Sequence, residues 1–187
     1  MSKLKAEVIK YSKKLNTTDL SALRSGNISA RAKENGIDGF YITPSGRKYS
    51  SLKPKDIVFV SLKGVYDKKK GKPSSEWRFH QDIYVNKKEA KAIVHAHSTC
   101  ATAVSTHQKS IPAFHYMVAV AGGEDIKCSK YATFGTKNIS RNIIKALKNR
   151  TACLIANHGQ VAFGKNLENT FELAQEIENI CHQYINA

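Results

Sequence analysis

Ala92-Ile93-Val94-His95-Ala96-His97 decides how the rest of this sequence is read. An apolar run of this length, followed by polar residues, reads as a buried strand. Side chains alternate between the two faces of a strand, so His95 and His97 leave from the same face. Two imidazoles on one rigid strand reach one metal ion. A catalytic zinc site usually takes three protein ligands and keeps a position open, so a third histidine is needed among the seven in the chain. His158 is the best placed. It follows a second apolar run, Cys153-Leu154-Ile155-Ala156, and precedes Gly159, so a strand ending there delivers it to the rim of the sheet. An H-x-H pair alone arises often by chance, and the second strand is what lifts this one above the background. His80, His107, His115 and His182 read as ordinary surface or packing residues.

Outward from that strand the chain mixes helices and strands. Leu4, Val8, Tyr11 and Leu15 stand three or four apart, the period of a helix with one apolar face. Strands are predicted over 27–31, 39–43, 57–61, 92–95, 152–156 and 161–163, with turns at Pro44-Ser45-Gly46 and Lys63-Gly64. Further helices are predicted over 76–87, 98–107, 138–148 and 167–185, the last with Leu167, Phe171, Ala174, Ile177, Cys181 and Ile185 on one stripe. Strict β-α-β alternation is absent, as are a linker and an internal repeat. The expected fold is a single α/β domain over 1–187, an α/β/α sandwich around a mostly antiparallel sheet.

Three polar loops offer groups to a ligand. Ser74-Ser75 precede a predicted helix, where hydroxyls and free backbone N–H groups hold a phosphate. Ser75 as a helix cap beside Glu76 explains the same residues without a ligand. Ser25-Gly26-Asn27 offers close backbone approach and a side-chain amide, and Thr43-Pro44-Ser45-Gly46 another hydroxyl. Plain turns would look alike. No dinucleotide fingerprint, Walker motif or nucleophile elbow is present.

The formal charge of +15 rests on 24 Lys and only six Arg, scattered rather than gathered with aromatics into a stripe. That pattern argues against nucleic acid and fits a solvated surface that attracts small anions. The four cysteines have no metal-ligand or C-x-x-C spacing. With no apolar leader run in the first residues and no stretch of membrane-spanning length, free thiols in the cytoplasm are expected.

In order along the chain stand Gly-Asn-Ile-Ser, Thr-Pro-Ser-Gly, Pro-Ser-Ser-Glu-Trp-Arg-Phe-His, His-Ala-His, Ile-Pro-Ala-Phe-His-Tyr, Tyr-Ala-Thr-Phe-Gly-Thr and Asn-His-Gly. Together they resemble the class II aldolase/adducin family over about residues 6–185, and within it the sugar-phosphate aldolases. The resemblance implies a catalytic Zn2+ on His95, His97 and His158. It implies Glu76 as acid/base and ligand of the resting metal. It implies a phosphate pocket of Gly26, Asn27, Ser45, Gly46, Ser74 and Ser75. It further implies that Tyr116 assists proton transfer from a neighbouring subunit of a homotetramer, and that the substrate is a small phosphorylated sugar. L-Fuculose 1-phosphate, cleaved to dihydroxyacetone phosphate and L-lactaldehyde, is the expected substrate. A pentulose-phosphate 4-epimerase or a methylthioribulose-phosphate dehydratase uses the same scaffold. A binding module without metal ligands, as in adducin, fits poorly with three histidines and Glu76 in place. The nearest family members carry a further C-terminal segment with a second tyrosine, which Tyr184 does not match.

Overall fold

In a computed structural model, which describes residues 3–187, the strand bearing His95 is the centre of a seven-stranded sheet. The strands are β1 (Asn27–Glu34), β2 (Ile37–Ile42), β3 (Val58–Ser61), β4 (Ala92–Ala96), β5 (Cys128–Ser129), β6 (Ala152–Ile155) and β7 (Gly159–Gly164). Their spatial order is β3-β2-β1-β4-β7-β6-β5, and β5 with β6 is the one parallel pair. Helices α1 (Lys3–Thr17), α3 (Thr99–Ser105) and α5 (Leu167–Asn186) cover one face. Helices α2 (Trp77–Asn86) and α4 (Lys137–Ala146) cover the other. The fold is the expected mostly antiparallel α/β/α sandwich.

Alternation along each strand sorts its side chains between the two layers. In β4, Ala92, Val94 and Ala96 enter the core under α1, α3 and α5, while Ile93 enters the core under α2 and α4. His95 shares the second face, edge-on to Phe79 of α2 with ring centroids 5.3 Å apart. In β1 the same rule sends Ile28 and Ala30 one way. Asn27, Ser29 and Arg31 go the other way, toward α2.

Some local expectations shift. β1 runs on to Glu34 because β2 folds back on it through Asn35-Gly36, both at positive φ. Asn-Gly is a strong two-residue hairpin sequence, since both positions must take positive φ. β5 has two residues, too few for any periodicity to show. Ser75 does not cap α2: Glu76 occupies the N-cap position and no side-chain cap bond is made. Ile185, expected on the apolar stripe of α5, is exposed. All four cysteines are free. No helix among the described residues is long and apolar enough to cross a membrane.

Candidate metal centre

The C-terminal end of β4, the β6–β7 turn and the start of α2 meet at one rim of the sheet, and each brings a ligand. His95 and His97 come from β4 and the residue just past it, His158 from the turn, and Glu76 from the helix start. Among the described residues, these four are the group of His, Cys, Asp and Glu side chains whose ligand atoms all lie within 4.8 Å of one another. His97 Nε2 lies 2.9 Å from Nε2 of both His95 and His158. Glu76 places Oε2 3.1 Å from His95 Nε2 and Oε1 3.3 Å from His158 Nε2. A tetrahedral site with bonds of about 2.0–2.1 Å has ligand separations near 3.3 Å. These donors are spaced close to that.

Hydrogen bonding shows which nitrogens face the centre. His95 Nδ1 lies 2.7 Å from the Gln160 carbonyl, which only accepts, so Nδ1 carries the proton. With Nδ1 engaged there, His95 turns Nε2 toward Glu76 and His97. Glu76 Oε1 is buried and has no hydrogen-bond partner. Converging lone pairs and an orphaned carboxylate oxygen in a buried pocket require a proton or a cation. The residues therefore fit a divalent metal, and three imidazoles with one carboxylate suit zinc-type ions.

Electrostatics follow from the same crowding. Burial pushes the Glu76 carboxyl up, but a proton on the facing imidazoles, on His95 before His158 and His97, outweighs it and holds the carboxyl well below the usual range. Burial, then neighbouring imidazoles, push His97 down to about 3 and His158 to about 4, so both are neutral lone-pair donors at neutral pH.

Two glycines make room for these ligands. Gly26 sits at φ 73°, and a Cβ there would lie 2.6 Å from both the His95 carbonyl and Ser21 Oγ. Ser21 Oγ in turn accepts from the His97 backbone N–H at 2.9 Å. Gly159, at φ 148°, passes so close to Ala96 and His97 that any Cβ would strike the Ala96 carbonyl.

Beside the centre opens a cavity of about 420 Å³. Gly26, Asn27, Ser45, Gly46, Ser74 and Ser75 all line it, together with Glu76, His97 and His158. Asn27 differs from expectation in one respect. Its side-chain amide is turned to Glu76 and His80, with Nδ2 donating to Glu76 Oε2 at 3.0 Å. Tyr116 is not near this cavity: it is 81% exposed and lines a separate shallow depression with Phe114 and His115.

Sequence reasoning missed three residues. His80, read as surface or packing, is fully buried and hydrogen-bonded to Asn27. Its place at i+4 from Glu76 on a predicted helix was the available clue. Tyr49 lines the cavity and donates to the Gly26 carbonyl at 2.5 Å, with burial pushing its pKa up to about 12. Arg24 lines the cavity mouth and donates from Nη1 to the Gly46 carbonyl at 3.1 Å. It stands two residues before the glycine of Gly-Asn-Ile-Ser, within reach of the same reading.

The chain is similar to known proteins over nearly all of its length. Residues 6–185 match the family model described as class II aldolase and adducin N-terminal domain. The chain is 43% identical over 181 residues to a 5-methylthioribulose-1-phosphate/5-deoxyribulose-1-phosphate aldolase of Rhodospirillum rubrum, covering 97% of this chain and 80% of that one. It is 42% identical over 184 residues to the L-fuculose phosphate aldolase of Escherichia coli K12, covering 98% and 83%. A solved L-fuculose 1-phosphate aldolase superposes with a TM-score of 0.92 at 40% identity, covering 99% of this chain and 86% of that one.

Proposed function

The chain belongs to the class II aldolase and adducin N-terminal domain family, with the aldehyde-lyase character of its aldolases, and from that we propose that it cleaves a ketose 1-phosphate, L-fuculose 1-phosphate by preference, to dihydroxyacetone phosphate and an aldehyde, here L-lactaldehyde. The observation that carries the reading is the convergence of Glu76, His95, His97 and His158 at the end of a hydroxyl-lined cavity. That cavity has the size of a small sugar phosphate site.

Breaking the C3–C4 bond leaves negative charge on the three-carbon half. His95, His97 and His158 would hold a zinc ion, which would supply Lewis-acid stabilisation of that charge with no Schiff-base lysine. Glu76 takes the C4 hydroxyl proton as that bond breaks and gives a proton to C3 of the three-carbon half. Its Oε1, buried and unpartnered, faces the centre. Ser45, Ser74 and Ser75, with the backbone at Gly26 and Gly46, hold the phosphate, and the binding energy orients the carbon chain. Tyr116 acts from a neighbouring subunit of a homotetramer in this reading. Its exposure, away from its own chain's centre, supports that role.

A second reading shares the phosphate half and differs beyond C4. The 43% identity to the Rhodospirillum rubrum enzyme favours a 5-deoxy or 5-methylthio ribulose 1-phosphate. The test is dihydroxyacetone phosphate release by zinc-loaded protein from L-fuculose, L-ribulose and 5-deoxyribulose 1-phosphates, with His95→Ala alongside. Release from L-fuculose 1-phosphate at the highest kcat/KM, lost in His95→Ala by at least about a thousandfold, is expected. A preference for the 5-deoxy sugar moves the assignment to the second reading. No release from any of them refutes aldol cleavage.

A further inference from the structure

Behind the metal centre, β1 and α2 are joined by polar side chains where a sheet–helix interface is normally apolar. Glu76, His80 and Tyr84 stand four apart, on one stripe of the helix. Asn27, Ser29 and Arg31 stand two apart, on one face of the strand. Four helical residues rise about 6 Å and two strand residues about 6.7 Å, so the two rows keep step. The contacts alternate between them: Glu76 to Asn27, Asn27 to His80, His80 to Ser29, Ser29 to Tyr84. Arg31 closes the far end, donating to the carbonyls of Tyr84, Lys87 and Ala90 at the C-terminus of α2. Asn27, His80, Ser29 and Tyr84 are all buried, at 2% exposure or less.

The protons in this row point one way. A carboxylate only accepts, so Asn27 donates from Nδ2 to Glu76 Oε2 at 3.0 Å and presents Oδ1 to the histidine. His80 Nε2, 2.5 Å from that oxygen, must donate. Neutral His80 then accepts at Nδ1 from Ser29 Oγ, 2.7 Å away. The serine has one proton, now used, so the Tyr84 hydroxyl donates to Ser29 Oγ at 2.8 Å. Each hydrogen bond delivers its donor toward Glu76, and aligned chains of this kind reinforce one another in a dry interior.

We propose that Tyr84, Ser29, His80 and Asn27 form a one-way hydrogen-bond line that anchors Glu76 Oε2 and leaves Oε1 free to ligate the metal and carry the proton. It rests on the reading of Glu76 given above. Tyr84, Ser29 and His80 are positioning residues, acting through Asn27. The anchor would let the carboxylate leave a bound metal when substrate enters and return to one place. It also gives the Asn27 amide a task other than holding phosphate.

The test uses His80→Leu, His80→Gln and Tyr84→Phe in the full chain. Leucine removes both ring hydrogen bonds, whereas glutamine can donate to Asn27 and accept from Ser29. His80→Leu is expected to lower kcat about 10–100-fold with KM for the sugar phosphate within about threefold. In cobalt-loaded protein its visible absorption spectrum moves toward that of Glu76→Gln. His80→Gln recovers kcat to within about threefold of wild type, and Tyr84→Phe, at the far end, lowers it by about threefold. Wild-type kcat and cobalt spectrum in His80→Leu overturn the proposal. So does a loss that glutamine fails to recover and that follows melting temperature alone. If His80→Leu does not fold, the nearly isosteric Tyr84→Phe decides by the same readouts. A wild-type protein without aldolase activity refutes the proposed function and not the line. Nitrogen NMR of the metal-free protein then reads the His80 ring: a proton on Nε2 supports the line, and one on Nδ1 overturns it.

Discussion

The two faces of the sheet differ in how far their buried polar groups are linked: singly or in pairs on one, in a continuous row on the other. Under α1, α3 and α5, Ser12 bonds to a carbonyl of its own helix and Thr170 to the carbonyl of Asn166, the cap of α5. Gln160 donates to Ser98 and to the Ala174 carbonyl beside it. Around them lies apolar packing from Val8 to Cys181. Under α2, Asn27, Ser29, His80 and Tyr84 bond to one another across two elements and end on Glu76. One face holds the sheet together, and the other spends part of its core on orienting a carboxylate. A buried polar row stabilises less than packed hydrocarbon but is costly to interrupt, because each break leaves a partner unsatisfied. The lesson is that stability and activity should respond to different substitutions.

The largest expected effect breaks the comparison on the apolar side. Phe171, 2% exposed on α5, packs against the Tyr11 ring with centroids 5.5 Å apart. Phe171→Ala is expected to cost about 3–5 kcal/mol of folding stability. At a temperature where the variant remains folded, its metal content and kcat should match wild type. Urea unfolding with kinetics on the same preparation decides it. A large fall in kcat at full folding would show that the faces are not separable.

The second effect is pH dependence, and it belongs to the polar side. Burial, then the nearby His95, push the His80 pKa down to about 3. An unfolded chain takes a proton at His80 below about pH 6.5, and the folded chain refuses it. The stability this represents is fully present above pH 6.5 and is lost as pH falls toward 3, by up to about 1.4 kcal/mol per pH unit. His97 and His158 shift in the same direction and add to the slope in metal-free protein. His80→Gln has no proton to gain. Its stability plotted against pH between about 4 and 6 should be shallower by one proton, and an unchanged slope would place wild-type His80 in solvent-like surroundings.

Much of this was legible because period-2 patterning is a local property. Alternation in Ile93-Val94-His95-Ala96-His97 put both imidazoles on one face, and the apolar run before His158 put it on a strand end. Every residue assigned to the phosphate pocket lines the same cavity. What escaped was pairing between elements far apart in sequence. Ser29 and His80 are 51 residues apart, and nothing in either segment announces the other. A histidine at the fourth position after Glu76 looked like packing because its partner strand was not yet placed beside it. The sheet edge beside β6 was missed for another reason: β5 has two residues and is held by its parallel pairing with β6, a tertiary contact without a local pattern.

The smallest effect sharpens the comparison at the rim, where neither core reaches. The surface carries 24 lysines, yet the lysines are absent from the cavity lining, where Arg24 is the one Arg or Lys side chain. Its Nη1 is tied to the Gly46 carbonyl at 3.1 Å, which holds the guanidinium over the Ser45-Gly46 side of the cavity. A phosphate carries about two charges at neutral pH, and a planar guanidinium matches its oxygens better than a solvated ammonium does. Arg24→Ala should raise KM for the ketose 1-phosphate about tenfold and leave kcat unchanged, the pattern of binding lost equally from ground and transition states. Inhibition by inorganic phosphate should weaken by the same factor. Neutralising Lys68, Lys69 and Lys70 together tests the alternative, that the overall positive field gathers the substrate. If that triple change raises KM as much as Arg24→Ala does, the field is the source. If only Arg24→Ala does, the charge that matters is the one fixed to Gly46, and the rim belongs with the polar face as part of the site.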